Sequence, residues 1–156
     1  MTDQAATDTF TEFVITHERR LRQALSAALG SEIGAEAAAE ALAHAWEYWP
    51  RIREMDNPIG YLYVVGRNRG RRMFRRNPVR LMPVDVSIHE PWVEPALPGA
   101  LETLPDQQRI CVMLVHCFDW TLAEVAGLLG ITKSTVQTYV ERALSRLRRR
   151  LGVEDS

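Results

Sequence analysis

Residues 121–140, TLAEVAGLLGITKSTVQTYV, decide the reading of the chain. Thr121-x-x-Glu124 is a capping box, in which hydroxyl and carboxylate each satisfy a backbone donor that a first helical turn leaves open. It predicts a short helix with Leu122, Val125, Ala126 and Leu129 facing inward. Gly130 supplies a turn residue tolerant of positive φ, and Thr132 a plausible N-cap for a second helix. That helix carries Val136, Val140, Ala143, Leu144, Leu147 and Leu151 at helical spacing. A close crossing of two helices needs a small residue on the first, a permissive turn and an aliphatic lock on the second. Ala126, Gly130 and Val136 provide these in the order A-x3-G-x5-V of a helix-turn-helix.

The second helix then offers Lys133, Ser134, Thr135, Gln137, Thr138, Glu141, Arg142 and Arg146, with Thr121 ahead of it. Such donors and acceptors reach major-groove base edges and phosphates. The competing reading is an ordinary helical hairpin with a solvated face. The cap, the turn, the spacing and the following Arg148, Arg149 and Arg150 favour DNA.

Upstream, Pro105 opens a helix with Ile110, Met113, Leu114 and Cys117 on one stripe. Before it, Asn77 to Gly99 holds Pro78, Pro83, Pro91, Pro95 and Pro98 and reads as a linker, because proline fixes φ and removes a backbone donor. The N-terminal part reads as three helices. Phe10, Val14, His17, Leu21, Ala24, Leu25 and Ala28 form a stripe that Gly30 stops. A second helix runs from about Gly34 to Trp49, with Leu42, Ala45, Trp46 and Trp49 as its apolar edge and Pro50 as its end. Asn57–Pro58 starts the third, Asn as N-cap and Pro at the first helical position. Nothing alternates as a strand would. The expected fold is all-α: two small helical domains, residues 7–76 and 100–152, joined by a Pro-rich linker over 77–99.

The third helix carries YLYVVGRNRGRRMFRR, residues 61–76. Aromatic faces stack on bases while Arg neutralises backbone charge, which is how opened nucleic acid is held. The alternative is a basic solvated helix with Tyr61 and Tyr63 in the core, and the residues alone weigh the two equally. Charge alternates along the sequence: residues 1–50 carry −5, 51–80 carry +7, 81–132 carry −6 and 133–156 carry +3. The overall −1 therefore hides two basic blocks able to meet a polyanion. All but one of the basic residues are Arg, the side chain suited to forked contacts with phosphate and base edges.

In its motifs the chain resembles the extracytoplasmic-function (ECF) sigma factors of bacteria. Glu40-Ala41-Leu42 with Ala45-Trp46 is similar to their E-A-F-x-x-A-W, and Tyr61-Leu62-Tyr63 with Val65-Gly66-Arg67-Asn68 to W-L-[YF]-x-I-A-R-N. Leu101 to Arg109 matches L-x-x-L-P-x-x-x-R, and Trp120 to Ala126 stands where the family has G-x-S-x-x-E-I-A. Thr135-Val136 and Arg142-Ala143 match its T-V…R-A. The resemblance implies a sigma region 2-like three-helix bundle and a region 4-like helix-turn-helix domain. It implies docking on core RNA polymerase through Glu36, Glu40, Leu42 and Trp46. It also implies that promoter DNA is held, as an opened minus-ten element, by Arg51, Arg53, Asn57, Tyr61, Arg67, Asn68, Arg71, Arg75 and Arg76. The minus-thirty-five element would be read by the last helix, and an anti-sigma factor is an implied partner. Two departures stand out. Ile33 to Ala39 is I-G-A-E-A-A-A where the family has D-x-E-D-L-V-Q, which replaces expected clamp-gripping side chains by alanine. Arg72 stands where an acidic residue is usual.

Enzyme chemistry is not expected, since the chain has neither a Gly-rich phosphate loop nor an identifiable nucleophile set. Cys111, His116 and Cys117 sit at offsets of five and six, which do not converge on one ion, so core thiols are expected and no metal or other cofactor. Met1 to Phe10 lacks a secretory pattern, and a cytoplasmic protein is expected. Two non-enzyme alternatives remain: a stand-alone helix-turn-helix regulator, and a sigma mimic that titrates an anti-sigma factor.

Overall fold

A computed structural model describes residues 2–76 and 96–152, so the expected linker lies outside the described residues as far as Pro95. Among the described residues every regular element is helical, in keeping with the all-α expectation. None of these helices is long and apolar enough to cross a membrane. Helix α1 (Thr2–Leu29) buries Leu21, Ala24 and Leu25 of its expected stripe, and at its end Leu29 rather than the half-buried Ala28. Gly30, at φ 88°, ends it as expected, its N–H bonded to the Ser26 carbonyl at 2.8 Å. The chain restarts at once as α2 (Ser31–Glu47).

Small side chains make up the inner face of α2. Gly34, Ala37, Ala38, Ala41 and Ala45 are buried with Ile33, which brings α1 and α4 (Pro58–Arg76) close to the α2 backbone. A Cβ on Gly34 would lie 2.6 Å from the Ser26 Cα, and one on Gly66 would lie 2.6 Å from Leu25 Cδ1. In the stretch that differs from the family pattern, Ile33, Gly34, Ala37 and Ala38 are thus a packing seam. Only Ala35 and Ala39 of the 33–39 stretch, with Glu36, face outward.

Pro50 does not end α2 as expected. The helix stops at Glu47, Tyr48 turns the chain, and Pro50 sits in the first turn of α3 (Trp49–Ile52). There its missing N–H has no helical acceptor to lose. Trp49 is buried against Phe10 and Phe13, with ring centroids 5.3 and 5.0 Å away, and its Nε1 donates to Thr9 Oγ1 at 3.0 Å. Trp46, expected on the same apolar edge, is 48% exposed, its ring centroid 5.1 Å from that of Phe10. Asn57 caps α4 as expected, its Oδ1 accepting from the Gly60 N–H at 3.1 Å.

The chain is helical again from α5 (Leu97–Glu102), inside the stretch expected as linker, with Pro98 in the first turn. Next comes α6 (Asp106–Val112), which widens into a π-helical turn over Met113–Cys117. The Phe118 N–H bonds to the Met113 carbonyl at 3.1 Å, an i to i+5 spacing. The extra residue per turn breaks the expected stripe: Ile110, Met113 and Leu114 are buried, but Cys117 is exposed. Asp119 then turns the chain at φ 60° into α7 (Leu122–Leu129) and α8 (Lys133–Leu151).

N-terminal and C-terminal helices dock on one another. The Arg109 side chain of α6 is 1% exposed and ends at the C-terminus of α1. Its Nε donates to the Ala27 carbonyl at 3.2 Å, Nη2 to the Ala28 carbonyl at 3.1 Å and Nη1 to Asp106 at 3.1 Å. Those carbonyls belong to the last turn of α1, which lacks intrahelical partners and carries no basic residue of its own.

Gly34→Ala is expected to destabilise the chain by about 1–3 kcal/mol, because the new methyl meets backbone that cannot swing aside. Gly127 of α7 has open space at its Cβ position. Gly127→Ala is therefore expected to stabilise by up to about 1 kcal/mol through helix propensity. Urea unfolding of the two variants against the parent checks both signs.

Candidate nucleic-acid interface

The helix-turn-helix is assembled by the local bonds that its sequence predicts. Thr121 Oγ1 accepts from the Glu124 N–H at 3.1 Å, and Glu124 Oε1 accepts from the Thr121 N–H at 2.8 Å, closing the capping box. Gly130 has φ 69°, and the N–H groups of Gly130 and Ile131 both bond to the Ala126 carbonyl. Thr132 Oγ1 accepts from the Thr135 N–H at 3.1 Å and so starts α8. Val136, Val140, Ala143 and Leu147 are buried, which fixes the rotation of α8 about its axis.

That rotation turns Lys133, Ser134, Gln137, Thr138, Glu141, Arg142 and Arg146 to solvent on one face. Gln137 Nε2 donates to Glu141 at 3.2 Å, and Thr138 Oγ1 donates to the Ser134 carbonyl at 3.0 Å. Thr135 differs from its neighbours: it is half-buried and its hydroxyl is engaged by Thr132 at 2.8 Å. Thr121 is exposed at the other end of the motif with its hydroxyl in the cap.

The second basic face lies on α4 and the segment before it. Leu62, Tyr63, Gly66 and Gly70 point into the bundle, which leaves Tyr61, Val64, Asn68, Arg71, Arg72 and Arg75 exposed along one side. An aromatic and an aliphatic group thus precede three cations, an order suited to an unstacked base followed by phosphates. Arg51 and Arg53 are exposed nearby. Arg67 is half-buried, its guanidinium 5.5 Å from the Tyr63 ring centroid, and burial raises the Tyr63 phenol pKa. Arg76 closes α4, but its side chain lies outside the described residues. Asn57 is exposed, yet both ends of its amide are used: Oδ1 caps α4 and Nδ2 donates to the Gly127 carbonyl at 2.6 Å.

Three residues here carried no recognised role in the sequence. Val64 shows as an exposed aliphatic only once the helix rotation is known. Arg69 turns back to α2, 3.9 Å from the Glu40 carboxylate and 3.4 Å from His44 Nδ1. His44 Nε2 in turn lies 2.9 Å from the Tyr61 hydroxyl. With Nδ1 accepting from Arg69, the Nε2–H form donates to Tyr61 and holds its ring at the start of the basic face. Spacing gives no sign of this relay, since it joins positions 17 and 25 residues apart.

On α2, Glu36 and Trp46 are exposed, Glu40 is half-buried beside Arg69, and Leu42 is half-buried against the core. Among the described residues no three His, Cys, Asp or Glu side chains gather as a metal site. Burial pushes the Cys111 thiol up to about 12.

The Glu124 carboxyl lies below its ordinary 4.5, first because it accepts from the Thr121 N–H and further because Arg20 Nη1 sits 2.6 Å away. A depressed carboxylate stabilises the fold above its ordinary pKa, and that stabilisation is lost as pH falls through the folded value. Glu124→Gln keeps an acceptor for the cap but does not titrate. Its melting temperature is expected to fall less steeply than the parent's from pH 7 to about 3. Thr121→Ala is expected to lose about 1 kcal/mol at neutral pH, measured by urea unfolding.

Comparison with known proteins bears on both halves. The family described as Sigma-70, region 4 matches residues 96–147, the span from just before α5 to within α8. The ECF RNA polymerase sigma factor SigM of Mycobacterium tuberculosis, in strains Erdman and H37Rv, is 39% identical over 57 residues. That match covers 36% of this chain and 29% of the relative's length. The solved structure of the sigma factor RpoE in complex with the anti-sigma factor NepR from Bartonella quintana is similar in fold. It has a TM-score of 0.60 at 22% identity, over 94% of this chain and 99% of that one.

Proposed function

We propose that this chain is an ECF sigma factor, a transcription initiation factor and not an enzyme, that binds core RNA polymerase and directs it to specific promoters. The observation that carries the proposal is the α8 face: a capped helix, locked by Val136 and Val140, with a row of exposed polar and cationic side chains inside the stretch that matches sigma region 4. Residues 100–152 then act as the region 4-like domain that reads the minus-thirty-five element in the major groove. Residues 7–76 act as the region 2-like domain. Its exposed Tyr61, Asn68, Arg71 and Arg75 hold the opened minus-ten strand, with Arg51 and Arg53 beside them.

The outward side of α2, with Glu36 and Trp46, is the surface offered to core polymerase. Glu40 and Leu42 act there from half-buried positions. An anti-sigma factor, the kind of protein that NepR is to RpoE in the Bartonella quintana complex, is a further partner, and the cytoplasm is the place of action.

Arg142→Ala is expected to weaken duplex binding, and Arg71→Ala with Arg75→Ala to weaken binding of opened promoter DNA above all. Each lost phosphate contact is expected to flatten the slope of log affinity against log salt by about 0.9 on duplex. Unchanged slopes would remove these faces from the interface. Co-elution of the chain with bacterial core RNA polymerase on a sizing column tests the function as a whole. One-to-one binding supports it; duplex binding without polymerase binding favours the stand-alone regulator.

A further inference from the structure

Three aromatic rings lie side by side where α2, α3 and α4 meet. The His44 ring is flanked by Tyr48, with centroids 4.8 Å apart and planes tilted by 48°, and by Tyr61, at 5.8 Å and 39°. Tyr48 is 43% exposed and Tyr61 36%, while His44 between them is half-buried. The rings thus form a strip whose two ends are open to solvent. Trp46 is no part of it: two residues beyond His44, it leaves α2 about 200° away and meets Phe10 of α1.

Each ring is held in place. Tyr48 is the turn between α2 and α3, its N–H bonded to the His44 carbonyl at 3.1 Å and its own carbonyl accepting from the Arg51 and Ile52 N–H groups at 3.1 and 3.0 Å. That turn carries its side chain alongside the residue four before it. Tyr61 is held by its hydroxyl, 2.9 Å from His44 Nε2. His44 is set in turn by Arg69, whose Nη2 lies 3.4 Å from Nδ1. Arg69 stands beside the Glu40 carboxylate at 3.9 Å and donates to the Glu40 carbonyl at 3.5 Å. The rings are therefore ordered before a ligand arrives, which removes much of the entropy cost of binding.

Cations border the strip at both ends. Arg51 follows Tyr48 by three residues and is exposed on α3, and Arg72 follows Tyr61 by eleven, three turns along the same side of α4, and is exposed as well. An aromatic strip between guanidinium groups suits a flat ring attached to phosphates, that is, an unpaired base of a single strand. An apolar protein segment would cover the rings but leave Arg51 and Arg72 without anionic partners. A base inside a duplex is closed to the strip, because both its faces are already stacked. We propose that Tyr48, His44 and Tyr61 form a stacking platform for one unpaired base of the opened strand, in which the two tyrosines carry the base and His44 is the positioning residue. This deepens the initiation-factor reading and rests on it.

The test titrates the full chain, alone and with core polymerase, with oligothymidylate carrying 2-aminopurine, whose fluorescence falls when the base stacks. The control is an oligomer of abasic sugar–phosphate units, equal in charge but without bases. The parent is expected to bind the oligonucleotide more tightly than the abasic oligomer and to quench the 2-aminopurine. Tyr48→Leu is expected to weaken oligonucleotide binding about tenfold and to relieve the quenching, with the abasic affinity and the salt slope unchanged. His44→Ala and Tyr61→Phe are each expected to lose about fivefold in the same pattern, the double variant being no worse than either. His44→Gln, which keeps a donor toward the Tyr61 hydroxyl, is expected to recover most of that loss. A parent that does not distinguish the two oligomers in either form, a Tyr48→Leu variant that binds and quenches as the parent does, or His44→Gln no better than His44→Ala would each overturn the platform. So would a Tyr48→Leu loss confined to polymerase binding, which would give this face to the polymerase instead. Failure of every version to bind polymerase would overturn the initiation-factor reading, while the two oligomers still decide the platform on the chain alone.

Discussion

The arrangement of the two halves depends on one buried guanidinium. A helix ends with carbonyls that its own ladder cannot satisfy, and the negative end of its dipole gathers there. In α1 the answer comes from the other half of the molecule, through Arg109. Burying an unpaired cation costs several kcal/mol, so Arg109 is tolerable only with its acceptors in place. The acceptors, equally, are satisfied only when α6 is docked. Each half thus supplies what the other lacks, which makes the docking specific in register.

The same economy of local bonds shapes the helix-turn-helix. Thr121, Gly130 and Thr132 fix where two helices begin and end, and the buried Val136 and Val140 fix how the second one is rotated. Once those are set, the outward identity of Lys133, Gln137 and Arg142 follows from the 3.6-residue period alone. The outward face of α8 is in this sense a by-product of the core.

Legibility in the sequence followed the range of the interaction. Capping box, positive-φ glycine and Asn–Pro start are contained within four residues, and all three stand where the sequence placed them. Pro50 was misplaced because proline marks both a helix end and a helix beginning, and only the turn at Tyr48 distinguishes the two. The π-helical turn that exposes Cys117 has no compositional mark. The relay from Arg69 through His44 to Tyr61, and every bond between the halves, joins residues remote in sequence. Periodicity says which side of a helix is buried, not against which partner. Asn57 is legible as the N-cap of α4, but the use of its amide as a bridge to Gly127 is not.

The alanine seam of α2 has one more consequence. Because Gly34, Ala37, Ala38, Ala41 and Ala45 bring the neighbouring helices close to its backbone, the inner side of this helix has no room for added volume. The outer side, at Ala35, Ala39 and Ala43, borders only solvent. One helix therefore has two unequal margins for change. Any enlargement inward is a structural event, while the outward alanines can be re-dressed with charge or bulk without the bundle registering it, so the chemistry of this outer surface can be retuned independently of the fold that presents it.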